Sequence, residues 1–201
     1  MRQAVSHLKK TCPVMAGIIE RCGPPRIVYL EPGFKTLTRC IVGQQLSGKA
    51  ARTIYARFEH ACGRAGVTPR AVLSLGPENL RPLGLSTQKT AYLLDLAGKT
   101  KARQLRFDRL EAMDDDEVIS HLTQVKGVGV WTAQMLLMFA LRRPDVFPSG
   151  DLGIRNAIQK AWAMESPPKP AAMEEIARPW SPYRTIACWY LWRSLENQAG
   201  L

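Results

Sequence analysis

Residues 122–133 read LTQVKGVGVWTA, and they contain a tight turn between two helices. An apolar helix ends in this stretch, a Gly-x-Gly turn at Gly127 and Gly129 follows, and a second helix begins at once. Two glycines let the backbone approach a ligand closely and leave amide N–H groups at a helix N-terminus, which suit a phosphate oxygen. Taken alone, the same pattern also fits an ordinary helix–helix connection.

The segments on both sides of this turn have helical periodicity as well. Apolar residues recur at helical spacing in 34–62, 87–102 and 182–198, and strand-like alternation is scarce. Residues 131–141 are apolar almost all round, which predicts a buried central helix. The acidic run 114–117 predicts a helix start, with an acid at the N-cap and Glu117 three residues later, rather than a metal site. The class is all-α.

Composition limits the partners. The 201 residues suffice for one generous domain or two small lobes that share a core. Lys and Arg number 28 against 17 acids, which gives a net charge of +11 and favours a nucleic-acid partner. An acidic membrane surface is the competing partner, but it usually requires a basic amphipathic helix, and the basic residues here are spread along the chain. No apolar stretch is long enough to span a bilayer, and the N-terminus has no secretory signal.

The cysteines and histidines indicate neither disulfides nor a metal centre. Five scattered cysteines without C-x-x-C spacing are interpreted as thiols in a reducing compartment. Three histidines far apart in sequence form no ligand pattern, so metal catalysis through side chains is not expected. An intracellular protein is the expectation.

One acid, Asp151, stands between glycines in DVFPSGDLGIRN (145–156), directly before an apolar helical pattern. Aspartate is among the best N-cap residues, since its oxygen accepts from the first-turn amides and its charge suits the helix dipole. Alone, this residue is therefore interpreted as a cap. A catalytic carboxylate at the mouth of a helix is the alternative, and the two roles are compatible.

Several motifs in order resemble the helix-hairpin-helix superfamily of DNA glycosylases, and within it the 3-methyladenine DNA glycosylase II branch. The resemblance runs from about Phe34 to the C-terminus and rests on IVGQQLSGKAA (41–51), LGLSTQKTAYLLDLA (83–97), the hairpin, DVFPSGDLGIRNA (145–157) and ARPWSPYRTIACWYLWR (177–193). It implies one domain over 1–201 with two helical lobes, about 36–145 and about 1–35 plus 146–201, and a DNA- and base-binding cleft between them. The residues before Phe34 are too few for the additional N-terminal α/β domain of many members.

The resemblance implies that Asp151, 22 residues after Gly129, is the catalytic aspartate. Lyase members of the family have a Schiff-base lysine two residues after the second hairpin glycine, where this chain has Trp131. A monofunctional glycosylase is therefore expected, which excises alkylated purines in base excision repair and leaves an abasic site. The alternatives are a glycosylase for deaminated or oxidised bases, and a non-catalytic helix-hairpin-helix DNA-binding module.

The resemblance also implies a base pocket with two aromatic walls. Trp131 and Trp192 match these walls, where an aromatic face attracts a methylated, cationic base; both could instead be core residues. Met135 stands where the bacterial prototype has a tyrosine, so the pocket differs there.

The resemblance further implies contacts to damaged double-stranded DNA. Either Gln45 or Leu46 fills the gap left by the flipped nucleotide, and Ser47 beside them is expected to contact DNA as well, although the loop also fits a helix start with Ser47 as cap. The expected phosphate contacts are Lys49, Lys126, Gly127 and Gly129, with Arg52, Arg155 and Arg184 as further candidates. A structural Na⁺ or K⁺ on main-chain carbonyls would involve Thr123, Val125 and Val128, and catalysis requires no cofactor. A monomer is expected, in the cytoplasm or nucleoid of a prokaryote or in a nucleus, and no membrane partner.

Overall fold

Eleven α-helices account for most of the described residues, 1–196, of the computed structural model, and no strand occurs among them. The all-α prediction is confirmed. In chain order the helices are α1 (Arg2–Thr11), α2 (Pro13–Cys22), α3 (Phe34–Gly43), α4 (Gly48–Ala61), α5 (Pro69–Leu80), α6 (Thr87–Lys101), α7 (Asp115–Thr123), α8 (Val130–Phe139), α9 (Leu152–Ala161), α10 (Pro170–Ala177) and α11 (Arg184–Glu196).

Side-chain caps start several of these helices where the sequence predicts them. Asp114 and Glu117 form a reciprocal capping box at α7: the Glu117 amide donates to Asp114 Oδ1 at 2.8 Å, and the Asp114 amide donates to Glu117 Oε2 at 2.9 Å. At α4 the Ser47 hydroxyl oxygen accepts from the Ala50 amide at 3.3 Å. Both helix starts are confirmed.

The chain divides into two compact units. The central unit comprises Leu30–Leu136, and the terminal unit comprises Met1–Tyr29 and, within the described part of the chain, residues 137–196. Residues 137–145 therefore group with the C-terminal helices, whereas the predicted lobe boundary lay at 145. The hydrogen bonds of this segment explain the assignment, because the Pro144 carbonyl accepts from the Thr185 amide at 3.0 Å and the Arg143 carbonyl accepts from the Thr185 hydroxyl at 2.7 Å.

In the central unit α6 packs against both α3 and α5, and α3 also packs against α4. The helices meet through fully buried aliphatic and aromatic side chains, each worth about 1.5–3 kcal/mol when removed from water. These side chains include Leu37, Ile41, Phe58, Leu93 and Leu96. The packing fixes α6 beside α3, and this position matters for the site.

In the terminal unit α11 packs against α2 and α9. Its Tyr190 is fully buried and donates its hydroxyl proton to the Gly23 carbonyl at 3.0 Å, while burial raises the pKa of this phenol to about 12. Trp180 is also fully buried and contacts the rings of Phe147 and Trp162, each with a centroid distance of 5.9 Å. This core holds α9, and with it Asp151, against α11.

Helix α8 is only partly the buried helix that its composition predicts. Leu136, Leu137 and Met138 are buried, but Val130 and Trp131 in the first turn are 53% and 49% exposed. Within the predicted stretch 131–141 the prediction is wrong for Trp131, because the helix begins at the surface directly after the hairpin, whereas Thr132 and Ala133 in the same turn are buried.

No helix within residues 1–196 is long and apolar enough to cross a membrane. The cysteines form no disulfide. In the same part of the chain no cluster of three or more His, Cys, Asp or Glu side chains could hold a metal ion.

Candidate active site and nucleic-acid interface

Asp151 is a buried carboxylate at the start of α9 in the terminal unit, only 8% exposed. Its Oδ1 accepts from the Ile154 amide at 2.7 Å, which is an N-cap bond, and from the indole Nε1 of Trp192 at 2.9 Å. Its main-chain amide donates to the Pro148 carbonyl at 2.9 Å. The predicted cap is present, and in addition a side chain from α11 orients the carboxylate.

Gly153 allows Trp192 to come this close. A Cβ atom at this glycine would lie 3.0 Å from Trp192 Cδ1, 3.1 Å from its Nε1 and 3.1 Å from Asp151 Oδ1. Real Cβ contacts are rarely that short, so a side chain here would require the indole or the carboxylate to shift by a few tenths of an ångström. The ring of Trp192 also contacts Phe139, with centroids 6.0 Å apart. No sequence motif indicates this role of Gly153.

An ion pair anchors the segment that leads to Asp151. Arg184 on α11 donates from Nε to Asp145 Oδ1 at 2.9 Å and from Nη2 to Oδ2 at 3.0 Å, and Ser181 donates to Oδ2 at 2.8 Å. Burial alone would raise the pKa of Asp145, but these hydrogen bonds outweigh burial and the pKa is lowered. Both ends of the segment 145–151 are thus fixed within the terminal unit.

In the central unit the hairpin exposes two main-chain amides. Gly127 has φ +78°, a left-handed conformation that favours glycine, and a Cβ there would lie 2.1 Å from the ring of Tyr92. Within residues 1–196, no hydrogen-bond acceptor lies against the amides of Gly127 and Gly129, and both residues are exposed. The Lys126 amide, in contrast, donates to Asp95 Oδ2 at 2.9 Å. The two glycine amides are therefore available to an external anion.

Main-chain carbonyls of the same hairpin suit a monovalent cation. The Val125 carbonyl accepts from the Val128 amide at 3.0 Å, and no main-chain amide outside the regular helices donates to the carbonyls of Thr123 or Val128 in the described chain. Neutral carbonyl oxygens are hard ligands, which prefer an alkali or alkaline-earth ion to a transition metal. The donor set fits the expected Na⁺ or K⁺.

The loop between α3 and α4, residues 44–47, presents polar and apolar side chains to solvent; we call it the insertion loop. Gln45 has φ +56°, which is uncommon for a residue with a side chain, and Leu46 is 37% exposed. Among the described residues of the central unit, Leu46, Val130 and Trp131 are the large apolar side chains left exposed. They belong to the insertion loop and to the turn after the hairpin, and exposed apolar groups of this kind mark binding surfaces.

Trp131 and Met135 line one cavity of about 610 Å³ in the central unit. Gln44 and Gln45 of the insertion loop, Lys89, Tyr92 and Gly127 line the same cavity. The structure therefore brings two predicted base-pocket residues together with the predicted insertion residue Gln45 and hairpin residue Gly127. Trp192 belongs to the terminal unit, where it contacts Asp151.

The predicted cationic contacts fall into two groups. Lys49, Arg52 and Lys126 are exposed and in no described ion pair. Arg155 and Arg184 are engaged within the terminal unit: Arg155 Nε donates to the Pro168 carbonyl at 2.9 Å, and Arg184 binds Asp145. The exposed group stays a set of candidates for phosphate contact, and Arg155 and Arg184 have structural roles.

A family model and several known proteins match most of this chain. The family described as HhH-GPD superfamily base excision DNA repair protein matches residues 38–182. DNA-3-methyladenine glycosylase 1 of Schizosaccharomyces pombe is 33% identical over 94% of this chain and 84% of its own length. The aligned part of this chain is longer than the stretch from Phe34 to the C-terminus, so the similarity also includes residues of the N-terminal helices.

Two solved structures have the same fold. The 3-methyladenine DNA glycosylase of Schizosaccharomyces pombe in complex with abasic DNA has a TM-score of 0.84 at 32% identity, covering 95% of each chain. The DNA-3-methyladenine glycosidase of Bacillus halodurans has a TM-score of 0.86 at 32% identity, covering 98% of this chain and 90% of its own. From motif order, helical fold and these relatives together, this chain belongs to the helix-hairpin-helix superfamily of base excision DNA repair proteins, in its 3-methyladenine DNA glycosylase branch.

Proposed function

We propose that this chain is a monofunctional DNA glycosylase that extrudes alkylated purines from duplex DNA, hydrolyses the N-glycosidic bond and leaves an abasic site for base excision repair. The observation that carries this proposal is the buried carboxylate of Asp151, oriented at the N-terminus of α9 by the Ile154 amide and the Trp192 indole. An N-cap requires only the bond from the Ile154 amide, whereas the second bond, from the Trp192 indole on another helix, also fixes the direction of the carboxylate, as a catalytic group needs.

Asp151 meets the chemical need of the reaction. As the base departs, positive charge develops on the deoxyribose, and a fixed carboxylate stabilises that charge and orients the attacking water. An N-alkylated purine is already cationic and leaves as a neutral base, so no second acid has to protonate it, in contrast to the leaving oxygen in glycoside hydrolysis.

Water, rather than a protein amine, is the nucleophile in this proposal. Two residues after the second hairpin glycine stands Trp131, whose indole cannot form a Schiff base. Trp131 instead lines the cavity in the central unit with Met135, where its ring offers a stacking face for a cationic base. The open amides of Gly127 and Gly129 bind a backbone phosphate, and Lys126 and Lys49 add positive charge.

The insertion loop takes the place of the flipped nucleotide through Gln45 or Leu46, with Ser47 starting α4 behind them. A Na⁺ or K⁺ on the carbonyls of Thr123, Val125 and Val128 would stiffen the hairpin, and no step of the chemistry passes through it. The protein acts as a monomer on chromosomal DNA, inside the cell.

Chromatography of the bases released from methylated DNA tests the proposal. Wild-type protein should release methylated purines, while matched oligonucleotides carrying inosine, ethenoadenine and 8-oxoguanine define the substrate range. Release from one of these oligonucleotides alone would assign a different specificity. Tight binding to abasic-analogue DNA without any base release would make the chain a binding module and refute the catalytic proposal.

A further inference from the structure

Helix α6 supports both DNA-facing segments of the central unit. Lys89, Tyr92 and Asp95, which follow one another at three-residue spacing along α6, contact the end of α3 or the hairpin. Residues three apart on a helix are neighbours on its surface, so these contacts come from one face of α6. The same face therefore places the insertion loop and the hairpin.

Lys89 holds the start of the insertion loop. Its ammonium donates to the Val42 carbonyl at 2.8 Å and to the Gln44 carbonyl at 2.6 Å, at the C-terminal end of α3. Carbonyls at a helix C-terminus have no helical partner and attract a cation. The side chain is part-buried, burial lowers its pKa, and no carboxylate in the described chain pairs with it. The main-chain carbonyls are its described partners.

The loop that Lys89 holds has a conformation that needs support. Gln45 adopts a left-handed φ of +56°, which is unfavourable for a residue with a Cβ atom. Within the loop the Leu46 amide donates to the Gly43 carbonyl at 3.2 Å. A strained turn persists only where its surroundings hold it, and the Lys89 bonds fall on both sides of Gly43.

Gln44 links the insertion loop to the hairpin. Its side-chain Nε2 donates to the Gly127 carbonyl at 2.8 Å. On the other side of the hairpin, Tyr92 packs against Gly127 and the Asp95 carboxylate accepts the Lys126 amide at 2.9 Å. The spacing between the loop and the phosphate-binding amides is thus set within the central unit, before DNA arrives.

We propose that Lys89 is a positioning residue that keeps the insertion loop preformed for entry into the duplex, with Gln44 setting its register against the hairpin. This inference rests on the proposed function. A preformed loop has less conformational freedom to lose on binding, so its benefit is largest where insertion takes place, at an extruded or missing nucleotide. On an undamaged duplex, held by phosphate contacts alone, the benefit is absent.

The test measures binding of the full-length Lys89→Met variant to a duplex with a tetrahydrofuran abasic analogue and to the same duplex undamaged, by fluorescence anisotropy at several salt concentrations. We expect about tenfold weaker binding to the abasic duplex, unchanged binding to the undamaged one, and an unchanged salt slope. Lys101→Met is the matched control, since it removes the same charge from the exposed C-terminal end of α6. It should behave as wild type.

A second measurement reports insertion itself. With 2-aminopurine placed opposite the abasic analogue, an inserted side chain changes the local stacking and hence the fluorescence. Lys89→Met should reduce this change at saturating protein, and Lys89→Arg, which keeps a cation able to reach both carbonyls, should restore most of it. A merely structural loss would alter thermal unfolding without this selective effect.

Two results would overturn the inference. Equal losses on both duplexes with a smaller salt slope would make Lys89 a phosphate contact, and wild-type behaviour of Lys89→Met would show that the loop needs no support. If this variant does not fold, the half-buried Gln44 is replaced by alanine and Gln44→Ala is measured on the same pair of duplexes. An affinity for the abasic duplex equal to that of wild type would refute the proposal. Base release is measured separately with wild-type protein, so failure of the glycosylase assignment leaves a distinct signature.

Discussion

Replacing Asp151 by asparagine separates its structural role from its chemical one. The Ile154 amide and the Trp192 indole both donate to one oxygen, Oδ1, at 2.7 and 2.9 Å. The carbonyl oxygen of asparagine can take the place of Oδ1 and accept both bonds. Asp151→Asn therefore removes the negative charge and keeps the contacts that orient the side chain.

The effect on folding should be small for asparagine and large for alanine. Asparagine caps a helix about as well as aspartate, so we expect a stability change below about 1 kcal/mol. Asp151→Ala loses the cap, worth about 1 kcal/mol, and leaves the Trp192 N–H without its acceptor, which costs about 1–3 kcal/mol. The sum of roughly 2–4 kcal/mol corresponds to a fall in Tm of roughly 5–15 °C for a chain of this size.

The effect on excision should be large for both variants. A fixed group that faces charge developing in a transition state typically contributes about 2.7–4 kcal/mol, which is roughly 10²–10³ in rate. Asp151→Asn should therefore release base at most about a hundredth as fast as wild type while it still binds an abasic-analogue duplex.

Single-turnover release of 7-methylguanine from methylated DNA, beside thermal unfolding of the same preparations, checks both expectations. Excision by Asp151→Asn within about tenfold of wild type would place the chemistry on another group. An asparagine variant as unstable as the alanine variant would show that the two Oδ1 contacts are not what holds this segment.

Three further outcomes are expected. Borohydride added during the reaction should trap no protein–DNA adduct, because an indole stands where lyase members have their amine; an adduct that survives denaturing electrophoresis would contradict hydrolysis by water. Gly153→Ala should displace the Trp192 indole and slow excision by about tenfold. Gly98→Ala is the control: with open space at its Cβ, it should stabilise the protein by about 0.5–1 kcal/mol and leave excision unchanged. Faster or unchanged excision by Gly153→Ala would count against the contact. The folded pKa of Asp145 lies below its unfolded value, so its ion pair with Arg184 contributes stability above about pH 4 that is lost as pH falls through the folded pKa. Urea unfolding at pH 7 and pH 3 should therefore show a smaller loss of stability at low pH for Asp145→Asn than for wild type. Equal losses would refute the stabilising role of this ion pair.

Features built from neighbouring residues could be predicted from the sequence. The capping box of Asp114 and Glu117, the Ser47 cap and the Asp151 cap all join residues three apart, so the local chain geometry alone brings donor and acceptor together. The order of the motifs likewise gave the hairpin and the family, because each motif is a short continuous segment.

Contacts between distant helices could not be predicted in this way. Trp192 lies 41 residues from Asp151, Lys89 lies 47 residues from Val42, and Gln44 lies 83 residues from Gly127. Whether such side chains meet depends on the rotation and axial register of packed helices. The buried side chains of many residues set that register together, and a single periodic pattern carries no information about it.

The same physical reason explains which cations are free to meet DNA. The sequence does not distinguish Arg155 and Arg184 from arginines that are exposed to solvent. Packing nevertheless places Pro168 within hydrogen-bond distance of the Arg155 guanidinium group, and Asp145 within hydrogen-bond distance of that of Arg184. Lys89 has the same formal charge as Lys49, but the side of α6 that faces α3 turns its ammonium toward two main-chain carbonyls. The composition determines how many charged groups the protein has, whereas the partner of each charged group depends on how the helices pack.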